Sequence, residues 1–325
     1  MFRTEITAPP SEEKITVSSP ILSIGSCFSD CMGQRFATHK FDVVANPFGT
    51  VYNPVSIFKL LEYAVNRNYP KDSSYVETQG LISNFDFHSS FSAEKTEKIK
   101  KDIQNAIEHT HEHLKKCEWM IITLGTAFVY RRKDNKDIVA NCHKVPAGRF
   151  TKELLTQKQI IEAFEKTYEL LLSLQPNIKI IMTVSPVRHT KDTLEQNSVS
   201  KSILRVTCDT LEKEQKNIRY FPSYEIMMDD LRDYRFYRTD MIHPTRDAED
   251  YIWHKFSEAY FNQETHRFIE EWDKIMKAIQ HRPFNPASEA HQKFIKETIK
   301  HLKRLEKKVD IHEELAQLQD QLISK

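Results

Sequence analysis

Ten residues near the amino terminus, Ile21-Leu22-Ser23-Ile24-Gly25-Ser26-Cys27-Phe28-Ser29-Asp30, constrain this chain more than any other stretch. A short apolar run ends in glycine, and the spacing of Phe28, Met32 and Phe36 predicts an amphipathic helix that begins immediately afterwards. A strand that turns into a helix through one glycine puts Ser26 and Cys27 at the helix N-terminus. There, unpaired amide N–H groups and the positive end of the helix dipole favour a thiolate or an oxyanion. The chain has only six glycines in 325 residues, about 2 % against a usual ~7 %. Gly25, Gly49 and Gly125 each follow an apolar run, as expected of loops at the carboxyl ends of strands where a side chain does not fit.

Four further segments read as strands: Phe41 to Ala45, Trp119 to Leu124, Lys179 to Val184 and Ile218 to Phe221. Between them, Val55 to Val65, Glu94 to Lys116, Lys152 to Leu174 and Leu194 to Gln215 carry apolar residues at three and four spacing among charges, the pattern of helices with one buried face. Strands alternating with helices imply βαβ crossovers and a parallel five-stranded sheet covered on both faces. Ligands of such sheets bind beyond the carboxyl ends of the strands, where the glycine-bearing loops fall. After Pro244 the pattern is helical: Ala248 to Phe261, His266 to Ile279, Ala287 to Val309 and Ile311 to Ile323, broken at His281-Arg282-Pro283-Phe284-Asn285-Pro286. Residues 1–262 are expected to form an α/β domain and 263–325 a helical extension, a lid or an oligomerisation element. The seam Ile311, Leu315, Leu318, Leu322 is too short for a coiled coil, so docking on the body and pairing with another copy are both open.

A net charge of +1 gives no electrostatic reason to expect nucleic acid or an anionic membrane as partner. No run approaches the roughly 18 apolar residues that span a bilayer. Met1-Phe2-Arg3-Thr4-Glu5 lacks the basic-then-apolar plan of a secretory signal, which makes the cytoplasm the expected location. The cysteines (Cys27, Cys31, Cys117, Cys142, Cys208) are odd in number and scattered, as reduced thiols would be.

The second informative motif is Asp240-Met241-Ile242-His243-Pro244. A carboxylate three residues before a histidine can reach one ring nitrogen and leave the other facing a nucleophile, the orienter and base of a triad. Together with Gly25-Ser26-Cys27-Phe28-Ser29, Asn46-Pro47-Phe48-Gly49-Thr50-Val51-Tyr52-Asn53-Pro54, Leu124-Gly125-Thr126-Ala127 and Ser185-Pro186-Val187-Arg188-His189, it resembles the GSCFA family, related to the SGNH (GDSL-type) hydrolases. Ser29 stands where the family signature has alanine. The resemblance spans roughly Ile21 to Pro286.

The resemblance implies a flavodoxin-like, three-layer α/β/α domain and a hydrolase or acyltransferase acting on an acyl ester, such as an O-acetylated carbohydrate, through a covalent acyl-enzyme. Asp240 and His243 would be the orienter and base. The nucleophile is Cys27 by ungapped comparison with Gly-Asp-Ser, Ser26 then replacing the Asp, or Ser26 itself. The oxyanion hole would use the elbow amide and the Gly49 amide. The Gly-x-Asn of SGNH hydrolases is here Gly125-Thr126-Ala127, so the Thr126 hydroxyl or Asn46 would have to supply the third donor.

Arg188 and His189, after the fourth strand, are candidates for substrate binding, as is His143; structural ion pairing and a solvated loop are the plain alternatives. His109, His113 and Cys117 share a helix face, but histidines at the charged end of a helix meet the dipole favourably, so no metal and no cofactor are expected. The same residues also admit a carbohydrate- or partner-binding protein that keeps the pocket without the chemistry, or a redox-sensing thiol pair, Cys27 and Cys31.

Overall fold

In the computed structural model, which describes residues 3–323, five parallel strands form the central sheet. The outermost residues of the two expected segments, 1–2 and 324–325, lie outside those described. The spatial order is Val43–Ala45, Ile21–Gly25, Trp119–Leu124, Lys179–Val184, Ile218–Tyr220, so the second strand in sequence lies outside the first. This is the flavodoxin-like order, in which the chain reverses direction of winding between the first and third strands. The register sets Gly25 beside Thr123 and Thr123 beside Thr183, which brings the carboxyl ends of the three inner strands to one rim.

The pleat sorts the sheet's side chains into two cores. Leu22, Ile24, Met120, Ile122, Ile180 and Met182 pack beneath the helices Pro54–Asn66, Thr96–Lys116, Gln157–Leu174 and Leu194–Glu214. Ile21, Trp119, Ile121 and Ile181 face the opposite way, onto the helices Cys27–Thr38 and Arg246–Tyr260. Period-two alternation on strands buried on both sides therefore yields the three layers. Phe36 anchors the second face, making edge contacts with Phe41, Trp253 and Phe256 at centroid distances of 5.1, 4.9 and 5.8 Å.

Two small antiparallel sheets were not expected: Tyr75–Thr78, Leu81–Asn84 and Ser92–Ala93, and Ile138–Val139, Phe128–Arg132 and Phe150–Leu154. The last strand corrects the expected Lys152 to Leu174 helix, which begins only at Gln157. Thr156 and Gln159 form a capping box there, and Lys152 is paired with Tyr130 across the sheet.

The helices Gln263–Gln280, Glu289–Leu305 and His312–Gln319 share a core built on Phe268, Trp272, Ile295, Leu302, Ile311 and Leu318. Ile311 and Leu318 of the terminal seam are thus spent within the chain. The unit docks on the far end of the Cys27–Thr38 helix. Trp272 Nε1 donates to Thr38 O at 2.8 Å, His39 meets Asp273 at 3.1 Å, and Lys40 pairs with Glu314 at 2.9 Å. Among the described residues no helix is long and apolar enough to cross a membrane. Trp272 is fully buried, so Trp272→Ala is expected to cost about 3–5 kcal/mol, read as a lowered urea midpoint.

Candidate active site

Gly25 makes the elbow. Its φ of +138° suits glycine, and a Cβ there would lie 2.1 Å from Thr123 O. The Ser26 amide then donates to Thr123 O at 3.1 Å and the helix starts at Cys27. The turn is held from the neighbouring loop. Asn46, at φ +40°, accepts from the Gly25 amide through Oδ1 at 2.8 Å and donates through Nδ2 to Asp30 Oδ1 at 2.6 Å. Asp30 Oδ2 also accepts from Thr50 Oγ1 at 2.9 Å. Asp30 was not singled out in the sequence, although its place in the first turn of the expected helix was a signal for a side chain that binds nearby donors.

Across the rim, Asp240 organises its own loop. Its Oδ1 accepts from the amides of Ile242 and His243 at 2.9 and 3.0 Å, and its Oδ2 bonds His243 Nδ1 at 2.7 Å. These amides, with the imidazole, hold the carboxyl well below the usual carboxylate range. Met241 takes φ +57°, which lets Asp240 and His243 close on one another. With Nδ1 engaged, His243 Nε2 faces Cys27 Sγ at 3.6 Å.

The structure thus brings Asp240, His243 and Cys27 into one line. Ser26 is fully buried and its Oγ has no hydrogen-bond partner; with the ring proton on Nδ1, His243 Nε2 accepts from the Cys27 thiol. Burial, followed by the nearby Asp30 carboxylate, raises the Cys27 thiol above its ordinary value, outweighing its own amide, Lys201 and the Phe28 amide. Burial and Asp30 thus work against the pull of the helix-end amides toward a thiolate.

Of the expected oxyanion donors, the Gly49 amide and both candidates for the third, Asn46 and Thr126, are engaged elsewhere, which leaves the elbow amides. The Gly49 amide donates to Asn46 O at 2.8 Å, closing the Asn46-Pro47-Phe48-Gly49 turn; Gly49 sits at φ +75° with His88 where a Cβ would be. The Asn46 amide holds Asp30, and Thr126 Oγ1 meets Ser200 Oγ at 3.0 Å and accepts from the Phe128 amide at 3.1 Å. The donors that face the thiol are the Cys27 and Phe28 amides, the first two of the helix, where no intrahelical acceptor exists.

The substrate-binding candidates separate. His189 lies at the rim, its ring edge-on to Tyr52 at 5.4 Å, and burial together with Lys201 and His243 pushes it down to about 3. It is a neutral imidazole whose Nε2 lacks a partner. The Arg188 guanidinium instead stacks on Tyr237 at 3.9 Å, while its amide donates to Ile242 O at 3.3 Å. It braces the histidine loop rather than facing the thiol. His143 is buried under the first small sheet, donating Nε2–H to Asn84 O at 2.7 Å, neither a solvated loop residue nor part of this rim. His113 likewise donates Nε2–H to Ile21 O at 2.9 Å, a structural use of the histidine-rich helix.

The profile of the GSCFA family matches residues 20–256. The chain belongs to the GSCFA family. The profile of the GSCFA domain protein, C-terminal domain, matches residues 272–324, which take in the second half of Gln263–Gln280, from Trp272, and the two helices after it. No curated protein and no solved structure matches this GSCFA chain.

Because the Asp30 carboxylate raises the Cys27 thiol, Asp30→Asn removes a charge that opposes the thiolate. The pH midpoint for alkylation of Cys27 by iodoacetamide, followed by peptide mass spectrometry, should therefore move down. In the wild-type protein the final rise should lie above the ordinary thiol value of 9.0.

Proposed function

We propose that this GSCFA protein is an acyl-ester hydrolase or acyltransferase of SGNH-like architecture with Cys27 as nucleophile. The observation that carries the reading is the alignment of Cys27 Sγ, His243 and Asp240, at 3.6 and 2.7 Å, on the carboxyl rim of a flavodoxin-like sheet. Ser26, without a hydrogen-bond partner for its hydroxyl, serves as the small first residue of the turn.

In the reaction, Cys27 Sγ attacks the ester carbonyl carbon as His243 Nε2 takes the thiol proton, giving a tetrahedral oxyanion. The amides of Cys27 and Phe28 lie at the helix end to receive that negative charge. Collapse breaks the carbon–oxygen bond of the ester, His243 returns the proton to the leaving alkoxide, and an alcohol departs from a thioester on Cys27. Water, or an acceptor alcohol, then attacks with His243 as base. The products are the free acid or a new ester, and the thiol is restored. Asp240 holds the tautomer with Nδ1–H and stabilises the imidazolium formed at each step. A cavity of about 410 Å³ bordered by Tyr130, Val139, Phe150 and Lys191 is lined on one side by Tyr52, whose ring meets His189 of the rim; the triad residues do not line it.

A panel of short acyl esters and thioesters tests the reading. His243→Ala should lower kcat/KM by about 10²–10⁴, Cys27→Ala should abolish turnover, and Ser26→Ala should retain most of it. No turnover of any member, with no acyl adduct on Cys27, would sink the proposal.

A further inference from the structure

The Leu194–Glu214 helix carries Asn197, Ser200 and Lys201 on one face, three polar side chains with at most 6 % of their surface exposed. None of them was singled out in the sequence. Each holds a loop of the catalytic rim. Asn197 Oδ1 accepts from the His189 amide at 2.9 Å, and Ser200 Oγ accepts from the Ala127 amide at 2.7 Å. Lys201 Nζ donates to Ser185 O at 2.7 Å. Clamping loops explains a buried asparagine and a buried serine; it does not explain a buried ammonium group. An uncompensated cation inside a protein is costly, and a neutral donor would hold Ser185 O without that cost.

The surroundings of Lys201 narrow its purpose. Its Nζ lies 5.7 Å from the Tyr224 ring centre. One turn earlier on the same helix Asn197 holds the His189 amide, the adjoining Arg188 amide donates to Ile242 O, and His243, next after Ile242, meets Cys27 Sγ at 3.6 Å. Lys201 and Cys27 thus belong to one rim, where the Cys27 charge favours the protonated amine. Reciprocally, Lys201 is the side-chain cation that acts to favour the Cys27 thiolate. Burial pushes Lys201 down to about 7. The titratable and charged groups around this pair are few. Cys27 and Asp30 come from the elbow helix, Tyr52 from the loop after Gly49, His189 from the loop after the fourth strand, and Tyr224 from the turn after the fifth. His243, held by Asp240, comes from the triad loop.

We propose that Lys201 is a positioning residue that sets the charge of Cys27 from inside the protein, so that thiol and amine share one proton rather than titrating separately. The proposal rests on the reading of Cys27 as the reactive group, but not on the nature of its substrate. When Cys27 loses its proton beside a protonated Lys201, the pair is S⁻/NH₃⁺, which carries the same number of protons as SH/NH₂. The balance between these two forms is independent of pH. The thiolate fraction therefore rises with pH while Lys201 is protonated, levels off once the pair has lost one proton, and rises again when the second leaves.

The experiment is the pH profile of iodoacetamide alkylation of Cys27, read by peptide mass spectrometry between pH 5.5 and 10.5 (about five units, enough to cover both steps). It requires no ester turnover, so it stands whether or not the protein hydrolyses anything. Wild-type protein should show a rise, a shoulder beginning near pH 7, where Lys201 titrates, and a second rise. Lys201→Met, of similar length and uncharged, should show one unbroken rise and about tenfold slower alkylation at neutral pH, the effect of one nearby opposite charge. Lys201→Gln, which keeps a donor for Ser185 O, should behave the same way and separates the charge from the clamp; thermal melting confirms that each variant is folded. A shoulder-free wild-type profile overturns the proposal even if neither variant folds. So does a folded variant with the wild-type profile, or a shoulder that survives in Lys201→Met and disappears in His243→Ala, which would assign it to the imidazole. Turnover of esters by a protein lacking the shoulder would leave the acyl-transfer reading standing and remove only Lys201 from it.

Discussion

One bifunctional side chain ties the architecture together. Asn46 accepts from the Gly25 amide and donates to Asp30, so the end of the first strand, the start of its helix and the loop beyond the edge strand are fixed relative to one another. The glycine turn determines where the thiol points, and Asp30 ties down Thr50 at the same time. Each of these contacts joins segments that a parallel crossover brings together only after the sheet has formed, which is why the site belongs to the fold rather than to any local peptide. Asn46 adopts a left-handed conformation that asparagine tolerates better than most residues, and its amide presents a donor and an acceptor to two different neighbours.

The electrostatics of the rim favour restraint over standing activation. Burial and Asp30 oppose ionisation of Cys27, while Lys201 and two helix-end amides favour it. Asp240 remains ionised because two amides and an imidazole all donate to it, so the orientation of His243 is secure far into acid. The neutral His189 adds a polar surface without another charge. Thiolate character governs both oxidation and alkylation of a cysteine, and burial with Asp30 acts against it at Cys27. The His243 imidazole lies 3.6 Å from the sulfur.

Much of this was legible in the chain because the signals were local and periodic. The five parallel strands are short apolar runs ending at turns, and the helices between them repeat at 3.6 residues; their boundaries differ from the observed ones by no more than a few residues, apart from Lys152–Leu174. The small sheets were not legible because their strands are short and only partly buried. One trace was present: Gln79-Gly80, both at positive φ, form the two-residue connection of a hairpin between Tyr75–Thr78 and Leu81–Asn84. Asp240 and His243 could be read from their spacing, which fits an imidazole folding back on a carboxylate. The donors could not, because whether Gly49, Asn46 or Thr126 has a free hydrogen depends on partners at positions remote in sequence. Lys201 was hidden for a simpler reason: a lysine within an amphipathic helix looks like surface until its neighbours are known.

The docking of the C-terminal helices has a consequence for how the rim is held. The helix with Cys27 at its first position ends at Thr38, whose carbonyl receives Trp272, and the residues just beyond it, His39 and Lys40, meet Asp273 and Glu314. Twelve residues span about 18 Å, and a stiff rod of that length carries a tilt at one end into a displacement at the other. The terminal module therefore grips the far end of the lever whose tip is the thiol, so strain applied there is felt at the sulfur without passing through the sheet.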